Sequence, residues 1–187
     1  MKVAIAVFVK TPGLSPVKTR LAATIGHQLA EQFFLLAKSA VEAVLGATRT
    51  EATIQGIELK TYWAIGEEAG VTHPLWESGW MERMHTGEGG LGERLNHVYS
   101  SLLDEHDAVL LLGMDSPQNT PGKLLAAIDV LREPGRFVLG PAHDGGFYLF
   151  GANTSITLAN WTAVTYSADD TMLQLIEQLS IPVERLS

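Results

Sequence analysis

The chain has 187 residues, 46% of them apolar and 18% charged, which fits a single folded domain over residues 1–187 and excludes a disordered chain. It has no cysteine, so disulfides, thiolate metal sites and cysteine nucleophiles are excluded, and a reducing cytoplasm is the expected setting. The net charge of −8 argues against a general nucleic-acid binder, which needs a basic surface.

That charge is unevenly spread. Residues 1–30 hold Lys2, Lys10, Lys18 and Arg20 and no acid, which leaves −12 on the rest. A local cationic patch on an acidic protein suits a small anionic ligand better than a polyanion, although such a patch can also arise by chance.

The continuous apolar run Val3–Val9 predicts a strand covered on both faces. It is too short to span a bilayer and carries no signal-cleavage pattern, and no other run approaches spanning length, so no membrane partner is expected. A loop rich in Gly, Pro and Ser follows from Lys10 to Pro16. A helix is predicted from His27 to Leu45, with Leu29, Phe33, Leu36, Ala40 and Val44 on its apolar face. Glu58–Ile65 reads as a second strand, and Gly66–Trp80 as irregular.

Gly87-Glu88-Gly89-Gly90 leads into a helix with the stripe Leu91, Leu95, Val98 and Leu102. Asp107–Leu112 reads as a buried strand, and Leu124, Leu125, Ile128 and Leu131 mark another helix. Strands over Arg136–Gly140 and Phe147–Gly151 flank a turn, and Ser167 with Asp170 resembles an N-cap pair opening a helix over Ala168–Leu179. A last strand is expected near Ile181–Glu184. Strands alternating with helices predict a layered α/β fold with a mainly parallel sheet, whose ligand site lies beyond the carboxyl ends of the strands.

Four segments could carry chemistry. In the loop Lys10–Arg20, Gly13 allows backbone N–H groups to approach an anion, while Lys10, Lys18 and Arg20 can screen phosphate oxygens. The spacing is not that of a Walker A loop, because Val17 stands where its second glycine is required. Asp115 directly follows a buried strand, where its carboxylate could bridge a hard divalent cation to a phosphate; the Asp-Ser-Pro turn could equally cap the next helix. His143-Asp144-Gly145-Gly146 permits either a tight hairpin or close backbone approach to a ligand. Gly87–Arg94 places glycines at a helix start, where freed N–H groups can meet an anion or a base edge, or serve structure alone.

Other chemistries find no support in the motifs. No His-Glu-x-x-His motif occurs, Ser116 lacks a Gly-x-Ser-x-Gly elbow, and the glycines after the first strand do not form Gly-x-Gly-x-x-Gly, which argues against a zinc hydrolase, a serine hydrolase and a dinucleotide enzyme. Trp63, Trp76, Trp80 and Trp161 read as core or pocket-wall residues.

Four pieces, taken in order, resemble a bacterial family with the glycosyltransferase-A fold. They are Phe8–Pro12 with Val17–Leu21, Gly90–Leu95, Gly113–Pro117 and Gly140–Leu149. That family belongs to the nucleotide-diphospho-sugar transferase superfamily and is related to phospholactate and molybdenum-cofactor guanylyltransferases. The resemblance implies a three-layer α/β/α sandwich and a transferase using a nucleoside triphosphate or nucleotide sugar, a small-molecule acceptor, and Mg2+ or Mn2+.

It implies roles by position. Lys10, Lys18, Thr19 and Arg20 would hold phosphates, with Lys18 also catalytic. Asp115 would bind metal, with Ser116 beside it, and Gly90, Gly92 and Arg94 would lie against the base or sugar. Asp144, also catalytic, would border the acceptor with Gly145 and Gly146.

Two departures from the family pattern are present. Pro12-Gly13 comes early in the loop, and the chain reaches Ser187 without the Asp-x-Asp-type segment that many members carry. Two-metal catalysis is therefore less expected than nucleotide binding. A nucleotide-binding protein without turnover, or a partner-interaction domain, is the alternative.

Overall fold

The computed structural model describes residues 1–115, 119–179 and 183–186. Its centre is β1 (Lys2–Val9), whose residues Val3 to Val7 are wholly shielded from solvent. Such a strand needs neighbours on both edges and layers on both faces, and it has them. It pairs in parallel with β2 (Glu58–Ile65), Lys2 opposite Glu58 through Val9 opposite Ile65, and with β4 (Ala108–Gly113), Val3 opposite Ala108 through Phe8 opposite Gly113. β3 (Glu82–His85) extends the sheet beyond β2.

On the other side β6 (Phe147–Ala152) runs antiparallel to β4, then come β5 (Phe137–Pro141) and β7 (Val183–Arg185). The order is β3-β2-β1-β4-β6-β5-β7, with β6 the one reversed strand among the described residues.

Alternation along β1 divides the core. Val3, Ile5, Val7 and Val9 face one apolar cluster, and Ala4 and Ala6 the other. The first is covered by α2 (His27–Ile54) and α4 (Pro121–Val130). The second is covered by α3 (Leu91–Leu103), α5 (Leu158–Thr162) and α6 (Thr171–Leu179). The result is the expected three-layer α/β/α sandwich.

Several local expectations are corrected. β3, the short α1 (Thr19–Ile25) and α5 stand where no element is predicted; each is short, and in so few residues the periodicity signal is weak. Gly66–Trp80 contains two 3-10 turns, Glu68–Thr72 and Pro74–Trp76. Of the α3 stripe, Leu95, Val98 and Leu102 are buried while Leu91 is exposed.

Ser167 does not cap α6. It adopts a left-handed backbone (φ 64°), and the helix begins at Thr171, whose hydroxyl accepts the Ala168 N–H at 3.1 Å. Ile181, within the expected last strand, lies outside the described residues.

The largest correction concerns α2. It runs nine residues beyond Leu45, and its buried row is Ala30, Phe34, Ala37, Val41, Leu45, Thr48 and Ala52. The predicted row is rotated by about one residue, or 100°, which leaves Leu29, Phe33 and Leu36 facing solvent. The error has a physical source. The buried row mixes Ala30, Ala37 and Ala52 with Phe34, Val41 and Leu45, and the predicted row is just as apolar, so periodicity alone does not choose between two adjacent faces.

Leu45→Ala is therefore expected to cost about 2–5 kcal/mol by leaving a cavity, whereas Leu36→Ala should change stability by less than about 0.5 kcal/mol. Urea denaturation midpoints of the two variants check this; equal losses would contradict the assigned face.

Burial also raises the pKa of all four tyrosines, Tyr148 among them. Tyr62 is pushed up to about 12 by burial first, with Glu82 and Glu105 adding to it. Tyr99 and Tyr166 are pushed up further, again chiefly by burial. A raised phenol keeps its proton longer in the folded chain than in the unfolded one. The stability it contributes is complete below pH ~10 and is lost as pH climbs toward the folded value, at about 1.4 kcal/mol per pH unit for each group. Unfolding free energies should fall steeply from pH 10 to 12, and Tyr62→Phe should make that fall shallower.

Candidate functional site

Because β1, β2, β3 and β4 are parallel, Val9, Ile65, His85 and Gly113 all end at one edge of the sheet. β6 begins at that edge and β5 ends there, with Leu112 opposite Leu149 and Gly140 opposite Leu149. The four segments singled out from the sequence therefore share one rim.

The first segment is fixed at its root. Thr11 is fully buried; its hydroxyl accepts the indole N–H of Trp76 at 2.9 Å, and its backbone N–H donates to Glu67 Oε2, also at 2.9 Å. The loop leaving β1 is thus bound to the segment that follows β2. Sequence reasoning missed Glu67 and read Trp76 as a core or pocket-wall residue rather than a hydrogen-bond tie; the hydroxyl in Lys10-Thr11-Pro12 was the available signal.

Lys10, Thr19 and Arg20 are exposed around this loop. Lys18 adopts a left-handed backbone (φ 48°, ψ 41°), sparsely populated by residues with a side chain, at the turn into α1. Its ammonium is hydrogen-bonded to Asp115 Oδ1 and lies 5.3 Å from the centroid of the Phe33 ring. The lysine side chain is 11% exposed and the aspartate 85% exposed. A cation from the β1 loop and a carboxylate from the β4 loop are thereby brought into contact across two adjacent strand ends. With one partner in open solvent, the pair adds little to stability.

Arg94 is committed to the protein frame. It donates through Nη1 to the Gly66 carbonyl (2.8 Å) and the Thr86 hydroxyl (2.7 Å), and through Nε to the Gly89 carbonyl (3.0 Å), with Glu88 3.7 Å from Nη2. It ties together the chain leaving β2, the chain leaving β3 and the start of α3. Gly90 is the N-cap of α3. Gly92 is buried against α5, where an added Cβ would come 2.7 Å from the Trp161 carbonyl oxygen.

The turn after β5 is a hairpin in the plainest sense. Ala142 N–H donates to the Gly146 carbonyl at 2.9 Å, and the exposed Asp144 accepts from Gly146 N–H at 3.2 Å. Gly145 (φ 84°) is pressed against the chain before α6: Met172 N–H donates to its carbonyl, and an added Cβ would lie 1.8 Å from the Asp169 carbonyl oxygen.

The Tyr148 hydroxyl, at the start of β6, is buried without a hydrogen-bond partner among the described residues, and burial raises its pKa. Ser116 lies outside the described residues. Lys18 and Asp115 are therefore in direct contact, whereas the Asp144 carboxylate bonds to its own turn.

A family profile matches residues 51–168, well over half the chain. The protein belongs to the DUF2064 family, described as uncharacterized proteins conserved in bacteria. The matched region holds Arg94, Asp115 and Asp144, while Lys10 and Lys18 precede it. No curated protein matches this DUF2064 chain.

Among solved structures it is similar to a candidate nucleotide-diphospho-sugar transferase from Desulfovibrio desulfuricans G20, at 22% identity over 98% of this chain and 79% of that one, with a TM-score of 0.83. It is also similar to a nucleotidyl transferase from Methanothermobacter thermautotroptrophicus, with 15% identity, coverage of 99% and 87%, and a TM-score of 0.63. A third is a CMP:2-keto-3-deoxy-manno-octonic acid synthetase complexed with CTP, with 12% identity, coverage of 100% and 89%, and a TM-score of 0.52. At these identities the likeness establishes the nucleotide-diphospho-sugar transferase fold of this DUF2064 protein.

Gly145→Ala should destabilise the protein by about 2–4 kcal/mol, since it meets both a positive φ and a backbone oxygen. Gly13→Ala, at a similar φ but with open space around it, should cost only about 1 kcal/mol. Thermal melting of the pair distinguishes close packing from backbone conformation alone.

Proposed function

We propose that the protein is a transferase acting on a nucleoside triphosphate or nucleotide sugar, with a small-molecule acceptor and Mg2+ or Mn2+ as the assisting cation. The observation that carries this reading is the Lys18–Asp115 contact at the ends of β1 and β4. A phosphate-compensating cation and a hard-metal carboxylate face the same point of the rim. The transferases sharing the fold, one of them with CTP bound, support the nucleotide class.

Asp115 offers an exposed carboxylate, and among the described residues no group of three or more His, Asp and Glu side chains forms a cage. One carboxylate suits Mg2+ or Mn2+ arriving with phosphates and water as its remaining ligands, because Mg2+ in particular is usually held this way. The residues fit a substrate-borne cation. Bound there, it would supply charge stabilisation to the phosphate oxygens.

The residues of the chain then divide the work. Lys18 leaves Asp115 for a phosphate oxygen when the nucleotide enters, and Lys10, Thr19 and Arg20 line the same loop. The N–H group at Gly90, on the frame that Arg94 holds, faces the base or sugar, while Gly92 lets α3 pack on α5 beneath it. The hairpin Asp144-Gly145-Gly146 borders the acceptor, with Ser116 next to Asp115.

In nucleotidyl transfer, an acceptor phosphate oxygen bonds to the α-phosphorus and pyrophosphate departs. In glycosyl transfer, the acceptor bonds to the sugar carbon and the nucleoside diphosphate departs. Both rest mainly on positioning and electrostatics. A second reading, nucleotide binding without turnover, is favoured by one observation: the Asp144 carboxylate is engaged by its own turn.

Asp115→Ala is expected to abolish metal-dependent turnover, and Lys18→Ala to weaken nucleotide binding about tenfold, the loss of one charge-assisted contact. A thermal-shift screen of nucleoside triphosphates and nucleotide sugars, with and without Mn2+, reads the binding. At about 100 times its Kd a ligand adds ~2.7 kcal/mol, a rise of about 5–10 °C. Binding without turnover in any assay would favour the second reading, and full activity of Asp115→Ala would end the metal assignment.

A further inference from the structure

Six of the ten large apolar side chains left exposed among the described residues fall between residues 14 and 36: Leu14, Ile25, Leu29, Phe33, Leu35 and Leu36. Leu29 (55% exposed), Phe33 (42%) and Leu36 (71%) are spaced by four and three, so they form one ridge on α2 beside its buried row. Solvent-facing Leu and Phe concentrated in this way require an explanation that core packing does not give.

Charge in the same stretch narrows the occupant. Of the cations in residues 1–41, Lys38 is paired with Glu42 and Lys18 with Asp115, and Lys2 lies at the opposite end of β1, which leaves the exposed Lys10 and Arg20 beside the ridge. The ridge adjoins the cationic loop directly, since Lys18 packs on the ring of Phe33. Exposed Lys10 and Arg20 belong to that loop and to the first turn of α1, which packs on α2.

Size narrows it further. With about 150–250 Å² per aromatic or large apolar side chain, the ridge offers on the order of 300 Å². A self-interface of standard size covers about 800 Å² per partner. A short apolar ridge flanked by cations matches the way an interfacial helix lies on a membrane.

We infer that the α1–α2 face docks the protein onto an anionic lipid bilayer. Leu29, Phe33 and Leu36 enter the headgroup–acyl boundary, and Lys10 and Arg20 meet lipid phosphates. The described residues contain no helix long and apolar enough to cross a membrane, and surface docking does not need one. The sequence-based expectation of no membrane partner rested on spanning length and on the lack of a signal-cleavage pattern, neither of which bears on surface docking. The inference shares Lys10 and Arg20 with the proposed nucleotide loop, but its readout contains no nucleotide, so either reading can fail without the other.

The test is cosedimentation of the full chain with vesicles of phosphatidylcholine containing phosphatidylglycerol, compared with phosphatidylcholine alone, at low and high salt. Binding to the anionic vesicles should be at least about tenfold tighter and should weaken as salt shortens the Debye length. Leu29→Asp and Leu36→Asp should each lower it about tenfold, with melting temperatures unchanged because both positions are already exposed. No sedimentation with anionic vesicles, or sedimentation unaffected by Leu36→Asp, would overturn the inference. So would a native dimer that Leu36→Asp converts to monomer, since the ridge would then be a self-interface.

Discussion

Thr11 is the second residue beyond the central strand, and its hydroxyl and its backbone N–H are both used inside the protein. The hydroxyl receives the Trp76 indole N–H, and the backbone N–H reaches the Glu67 carboxylate. Leaving either partner unmatched in so buried a place would cost about 1–3 kcal/mol. The chain therefore leaves β1 along one path, bound to the segment after β2. Arg94 repeats the device farther along the rim by joining the chain ends after β2 and β3. A loop rich in Gly and Pro thereby starts from a fixed root and still keeps its tip exposed.

On that frame, electrostatics is local. The chain is acidic overall, yet its first thirty residues carry only positive charge, and β1 delivers Lys10, Lys18 and Arg20 to the rim. Contact between Lys18 and Asp115 holds that charge in check at one point. Where one partner is largely in water, such a pair is easily exchanged for a better one. The left-handed backbone of Lys18 belongs to the same arrangement: it turns the chain into α1 while aiming the side chain across to β4.

The glycines of the rim divide in an instructive way. Gly92 and Gly145 look like ligand-facing residues in the sequence, and both are also packing residues, one against the backbone of α5 and the other against the chain entering α6. A glycine that lets a backbone approach a phosphate and one that lets two backbones approach each other leave the same mark in a sequence. Tertiary structure separates them, since the difference lies in what occupies the space beyond Cα.

By itself, the sequence determined the layered α/β class, the limits of β2, and the presence of a cationic loop and two aspartates just past strands. Buried strands are continuous apolar runs such as Val3–Val9, and turns carry Gly, Pro and Asp, so both are local signals. Only the tertiary structure decided which side of α2 is buried, that Arg94 and Thr11 act as ties, and that Lys18 meets Asp115, 97 residues away. Those facts depend on contacts between distant segments. The apolar residues Leu29, Phe33 and Leu36 fit a buried stripe as well as Ala30, Phe34 and Ala37 do, and packing against the sheet, where Phe34, Val41 and Leu45 join the core, made the choice.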